Sequence, residues 1–278
     1  MKSGELIKQL RQERNIKQKD LAEGILSRSA ISKIEHGEHE PSFDTAMKLI
    51  DRLGVTLSDF ERLYFDRTSV SLLAQYFTNI TDTAPNNYHI QKIESLRKHR
   101  HQNTVNDTVN DIYIIVENYK DLSNKEINML RETVLPVWHH FEKIDSWQKT
   151  DLYIINDMLF FFQLTDAINI TTRALSKIDT TYPELVDLKA SFLNNLGLLC
   201  LLNAEYKQAI TYFSQSIAQA KLVHRYDISI TAKIRTALIQ QHSDEIKHQL
   251  KLLADLDDQE LLNRTKHELA LLKSRIMA

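Results

Sequence analysis

Between residues 18 and 37 the chain reads Gln18-x-x-Leu21-Ala22-x(3)-Leu26-Ser27-x-Ser29-x-Ile31-Ser32-x-Ile34-Glu35-x-Gly37. The apolar members, Leu21, Ala22, Ile31 and Ile34, fit two short helices crossing through a tight turn. The residues left between them, Ser27, Arg28, Ser29, Ser32 and Lys33, are small or basic and gather at the start and on one face of the second helix. A helix built this way has no bulk to keep it out of a major groove, hydroxyls to meet base edges and cations to meet phosphates. Gln18, opening the preceding helix, suits a phosphate or base contact, and Arg11 and Arg14 could reach backbone phosphates from the helix before it. Glu35 is acidic and is assigned a hydrogen bond inside the domain. His36 and His39 flank a turn with no Cys or third His nearby, so no metal ligand is expected.

Five short helices must hold these residues. Leu6, Ile7 and Leu10 lie at helical spacing in 5–14, and residues 18–23 form a second helix after Asn15-Ile16. Ser27 is the expected N-cap of a third helix, Arg28 to Glu35, which Gly37 ends. Ser42 starts a fourth helix that carries Phe43, Met47, Leu49, Ile50 and Leu53 and stops at Gly54. Ser58-x-x-Glu61 reads as a capping box for a fifth, with Phe60, Leu63 and Tyr64. The domain is electrically split. Residues 2–33 hold eight Lys/Arg against four Asp/Glu, and residues 34–65 three against seven. The net charge of −2 for all 278 residues hides that polarity.

Residues 66–71, polar but without Gly or Pro, are the expected linker, readable also as the start of a helix. From residue 72 to 278 the pattern is helix after helix. Five Gly and four Pro in the whole chain leave few obligatory turns. Loops are expected at 81–87, 103–106, 121–124, 145–150, 179–183, 203–204, 224–227, 241–243 and 255–258. Ser123-x-x-Glu126 and Thr181-x-Pro183-Glu184 read as further helix starts, and Pro136 as a kink or break. Leu196-Gly197, Tyr206, Ala209 and Phe213 follow the tetratricopeptide pattern, in which small residues let two helices approach and aromatic ones fill the gap. A weaker copy runs through 152–175, with Ala167 matching Ala209. The fold class expected is all-α: a five-helix helix-turn-helix domain (1–65), then a tetratricopeptide-like antiparallel helical array (72–278).

Such an array has a concave surface lined by the first helix of each pair. Asn156 falls on one such helix, Asn194 and Asn195 on another. An Asn amide both donates and accepts, so it can grip the main chain of an extended peptide. Phe160 and Leu198 could then form apolar pockets. The plainer alternative, that the aromatic and aliphatic residues are core and the Asn side chains join helices, stays open.

Residues 3–63 resemble the Xre/Cro-type helix-turn-helix family. The turn between Ala22 and Ser27 is one residue shorter than in common members, in the manner of Rgg/MutR-type regulators, a group similar to PlcR-type regulators. Trp147-x(3)-Asp151-Leu152-Tyr153-x(2)-Asn156-x(2)-Leu159-Phe160-Phe161 also resembles that group. Some members carry a Cys in the fourth-helix region, where this chain has Phe43. The resemblance implies a cytoplasmic homodimer that binds double-stranded DNA and is controlled, in the manner of quorum sensing, by a short signalling peptide held by the second domain. Tyr153, Asn156, Phe160, Asn194, Asn195 and Leu198 are the candidate peptide contacts. A small-molecule or protein effector, or a protein-interaction scaffold without DNA binding, would fit the same residues.

No enzyme is expected, for the chain lacks His-Glu-x-x-His, a phosphate loop and Gly-x-Ser-x-Gly. No catalytic residue, metal or cofactor is therefore expected. His139-His140 are adjacent on a helix and point apart. Cys200, the single cysteine, sits in an apolar run and reads as a buried thiol. The polar start Met1–Glu5 shows no targeting segment, and no apolar run approaches the ~18–20 residues of a membrane span.

Overall fold

The computed structural model describes residues 2–65, 70–79, 87–99, 107–121 and 127–277. Among these every regular element is a helix. Contacts divide the chain into two compact units, Met1–Tyr76 with Lys92–Asn103, and Phe77–Gln91 with Thr104–Ala278.

The first unit contains α1 (Ser3–Glu13), α2 (Gln18–Ala22), α3 (Arg28–Glu35), α4 (Phe43–Arg52) and α5 (Leu57–Phe65). Leu6, Ile7, Leu10, Leu21, Ile31, Ile34, Leu49, Ile50, Leu53 and Phe60 close one core. The apolar spacing explains why these helices bury the faces they do. Ser27 Oγ accepts from the Ala30 amide at 3.2 Å and Ser42 Oγ from the Thr45 amide at 3.3 Å, the expected caps. Gly37 (φ 69°) and Gly54 (φ 63°) leave their helices in the left-handed region. The cap of α5 differs from expectation. Thr56, not Ser58, accepts from the Asp59 amide (3.1 Å), so the helix starts two residues earlier and Ser58 lies inside it. Gly4 lets α1 cross α3: a Cβ there would lie 1.9 Å from the Ile34 carbonyl oxygen.

α6 (Val70–Thr78) and α7 (Asn87–His99) follow. The linker expected at 66–71 lies outside the described residues over 66–69. So do the loop expected at 103–106, most of those at 81–87 and 121–124, and the helix start at Ser123.

The second unit is a helical array: α8 (Asp107–Asp121), α9 (Ile127–Phe141), α10 (Lys149–Met158), α11 (Leu164–Thr181), α12 (Val186–Leu202), α13 (Tyr206–Leu222), α14 (Tyr226–Ile239), α15 (Ser243–Asp255) and α16 (Gln259–Met277). A 3-10 turn, Leu159–Phe161, extends α10. From α11 onward each helix packs on the next, and α10, α12, α14 and α16 also pack on one another in sequence. That second set of contacts makes the even-numbered helices one continuous layer, as in a tetratricopeptide-like stack. Gly197 sets the closest approach, since a Cβ there would lie 2.7 Å from the Phe213 ring. Ala209, Phe213 and Ala167 are fully buried, whereas Tyr206 is 36% exposed on the first turn of α13.

The turns after α12, α13, α14 and α15 each place a left-handed residue just past the helix: Ala204, His224, Gln241 and Asp257, with φ of 58–61°. None is glycine, so these stops come from the stack rather than from local preference. α9 runs from Ile127 to Phe141 with Pro136 inside it, so the proline does not break the helix. One local expectation needs correction. Thr181 ends α11 rather than starting α12, which begins at Val186 beyond the turn at Pro183-Glu184. Among the described residues no helix is long and apolar enough to cross a membrane.

Candidate functional site

α3 turns Ile31, Ile34 and Glu35 inward. That leaves Arg28, Ser29 and Lys33 exposed and Ser32 half-exposed on the opposite face, with Ser27 exposed at the cap. The spacing i, i+1, i+4, i+5 puts these four helix side chains on a single stripe. Arg28 and Lys33 have no ion-pair partner among the described residues. Ser27 and Ser29 hydroxyls lie 2.9 Å apart, a short polar pair at the helix start. Arg14, the C-cap of α1, is also exposed, and its guanidinium lies beside Gly54 at the end of α4.

Arg11 and Gln18 sit elsewhere. The Glu35 side chain is fully buried, and both its oxygens accept from Arg11: Nε at 2.5 Å and Nη2 at 2.9 Å. Gln18 Nε2 adds a third donor at 2.9 Å, and Arg11 Nη1 also donates to the Ile16 carbonyl at 2.8 Å. Burial alone would raise the Glu35 carboxyl, but the bonds from Arg11 and Gln18 and the charge of Arg11 outweigh it and hold it below the ordinary glutamate range. The same partnership raises the Arg11 guanidinium. This hub ties α1, the start of α2 and α3 together, and it engages Arg11 and Gln18, two of the candidate DNA contacts, which stay half-exposed. The outer stripe of α3 is therefore Ser27, Arg28, Ser29, Ser32 and Lys33.

In the array, Asn156 is buried and joins α10 to α12: its Nδ2 donates to Ser191 Oγ at 3.2 Å, and its Oδ1 accepts from Asn195 Nδ2 at 3.2 Å. Asn194 is buried too and faces α14, where Arg235 Nη1 donates to its Oδ1 at 2.9 Å. Arg235 then grips both oxygens of Glu268 on α16, at 2.7 and 2.8 Å. Burial would raise the Glu268 carboxyl, but Arg235 outweighs it and holds it low. Tyr153 is buried, and its phenol is pushed up first by burial and then by Asp187. Phe160, Asn195 and Leu198 remain half-exposed. Asn195 and Leu198, three residues apart, share a face of α12.

Residues 7–60 match the helix-turn-helix family. That stretch of the first unit is a helix-turn-helix domain. No curated protein matches the chain. Among solved structures, Bacillus thuringiensis PlcR in complex with the peptide PapR7 and DNA is 16% identical, with 96% of this chain and 98% of that one covered and a TM-score of 0.67. The Streptococcus dysgalactiae SHP pheromone receptor Rgg2 is 15% identical over 97% of this chain and 99% of its own, at 0.66. ComR from S. thermophilus, in complex with DNA and its signalling peptide ComS, is 15% identical over 97% and 99%, at 0.59. At these identities the likeness concerns the fold, and it spans nearly the whole of each chain.

Within the helix-turn-helix, α3 is the second helix of the motif and its outer stripe is the surface available to a groove. In the array, the stretch from Trp147 to Phe161 builds a corner. Trp147 is buried, donates to the Phe141 carbonyl at 3.1 Å and lies under the Arg173 guanidinium at 3.9 Å. Asp151 accepts from the Gln148 amide at 2.7 Å and caps α10. The two neighbouring histidines part company, His139 to Glu142 (2.9 Å) and His140 to Asp111 (2.7 Å). Cys200 is buried, and burial pushes its thiol up to about 11. Ser191, Arg235 and Glu268 escaped the sequence reading. Arg235 carried little local signal, for Ser229, Thr231, Lys233 and Thr236 share its helix and only its burial against α12 and α16 sets it apart.

Proposed function

We propose that this chain is a cytoplasmic, dimeric, sequence-specific transcription regulator of the quorum-sensing type. Its helix-turn-helix (1–65) binds double-stranded DNA. The array (72–278), joined through 66–71, takes a short signalling peptide and supplies the dimer contact. The observation that carries the reading is the stripe of α3: two cations and three hydroxyls point outward from a helix locked in place by the Glu35 hub. It is supported by a fold shared over nearly the whole chain with proteins crystallised with DNA and peptides. Phe160, Asn195 and Leu198 are the side chains an incoming peptide meets. Tyr153, Asn156 and Asn194 set the spacing of the helices behind them. The peptide acts by population shift: it binds one arrangement of the array better and so changes how two recognition helices fit half-sites about one helical turn apart.

Arg28→Ala tests the DNA half. The residue is exposed and has no ion-pair partner among the described residues, so folding is unaffected. If Arg28 reads a base, affinity for the operator falls by about 1–3 kcal/mol and discrimination relaxes at one position. If it meets only phosphate, affinity falls on all sequences and the salt dependence loses about one unit of slope. Anisotropy titrations at several salt concentrations distinguish the two. Unchanged affinity on every sequence removes α3 from the interface.

A further inference from the structure

We propose a second ligand site in the array, for a small amphipathic amine: an apolar body with a single ammonium head. It stands independently of the reading of the chain as a regulator. A cleft of about 260 Å³ opens between the last turns of α9, the 3-10 turn and the start of α11. Asn195 and Leu198 are not among its walls.

The walls are aromatic and aliphatic. Trp138 and Phe162 meet edge to face, ring centres 4.7 Å apart, and Phe161 and Leu135 complete the lining. Leu135 remains 44% exposed, and Met158 is fully buried at the end of α10. The cleft is smaller than the roughly 300–1,000 Å³ of drug-sized sites, so it suits one ring or a short alkyl chain.

The charged groups decide what kind. Glu142 and Asp166 both line the cleft, and no lysine or arginine does. His139 Nδ1 sits 2.9 Å from Glu142 Oε1 and occupies one of its oxygens. Asp166 lies in the first turn of α11, where its charge suits the helix end, and has no ion-pair partner among the described residues. An anionic ligand would be repelled by two carboxylates here, and a neutral one gains nothing from them. A cation is attracted to both while its apolar body packs beside the rings of Trp138, Phe161 and Phe162.

The test titrates the full chain with three probes of one shape: 2-phenylethylamine, 2-phenylethanol and phenylacetate. Tryptophan fluorescence reports, since Trp138 lines the cleft while Trp147 is buried under Arg173. The amine is expected to saturate the signal about tenfold tighter than the alcohol, with phenylacetate weakest. Asp166→Asn and Glu142→Gln, both at exposed positions, should each narrow the gap between amine and alcohol. Leu135→Lys, which tethers an ammonium at the mouth, should abolish amine binding while leaving the fold intact. Equal affinity for amine and alcohol overturns the proposal. So does a failure of all three probes to saturate, or an amine preference that survives the Asp166→Asn, Glu142→Gln double variant.

Discussion

Replacing Glu35 by alanine is expected to loosen α1, α2 and α3 together and to abolish DNA binding, although Glu35 itself faces away from the outer stripe. The substitution leaves the Arg11 guanidinium, only 12% exposed, without its counter-charge, and leaves the Gln18 amide without its acceptor. Removing one partner of a buried pair costs about 3–5 kcal/mol, most of it the burden of the charge left behind. In hydrogen exchange on the full chain, amides of α1 and α3 should lose roughly two to three orders of magnitude of protection, while those of α12 and α13 keep theirs. Glu35→Gln, which keeps the volume and one acceptor, should fall between. The pH dependence has a definite sign. The folded-state carboxyl lies below the ordinary value of 4.5, so its contribution is complete above that value. It is lost as pH falls through the lowered one. Protection of α1 and α3 within twofold of the parent would show that the hub contributes nothing.

The second large effect belongs to the array. Glu268→Ala strips the bidentate partner from Arg235, which is 7% exposed, and leaves it only the Asn194 oxygen. Because Glu268 is itself 38% exposed, water can replace part of what is lost. The cost should therefore fall between the ~1 kcal/mol of surface pairs and the ~3–5 kcal/mol of buried ones, at about 2–3 kcal/mol. The contact joins α14 to α16, so protection in α16 should drop first. An Arg235→Met, Glu268→Leu double variant, which removes both charges and keeps the volume, should regain most of the loss. If the double variant is as unstable as the single one, the charge left behind is not the cause.

The first unit was legible because its rules are local. Apolar spacing, the caps at Ser27 and Ser42 and the left-handed glycines at 37 and 54 each act within a few residues. The cap of α5 was misplaced by two because Thr56-x-x-Asp59 and Ser58-x-x-Glu61 offer the same pattern, and the chain takes the earlier one. The bonds of Arg11 and Gln18 to Glu35 were not legible, since Glu35 is 24 and 17 residues away. Neither spacing is a helical neighbour distance, so nothing local announces the bond. The array was legible through Gly197, Ala209 and Phe213, whose sizes matter wherever two helices touch. Its asparagines were harder: an amide that could grip a peptide can as readily bridge two helices, and Asn156 and Asn194 do the latter.

The proposed regulator rests most directly on one measurement: footprinting of the promoter beside its own gene with the full-length protein, at low salt, with and without candidate short peptides. A protected inverted repeat with half-sites about one helical turn apart is expected, with a change in its occupancy when the right peptide is present. Loss of that footprint in Arg28→Ala would tie it to α3. Absence of any protected repeat under all these conditions would mean that the chain is not a sequence-specific DNA-binding regulator.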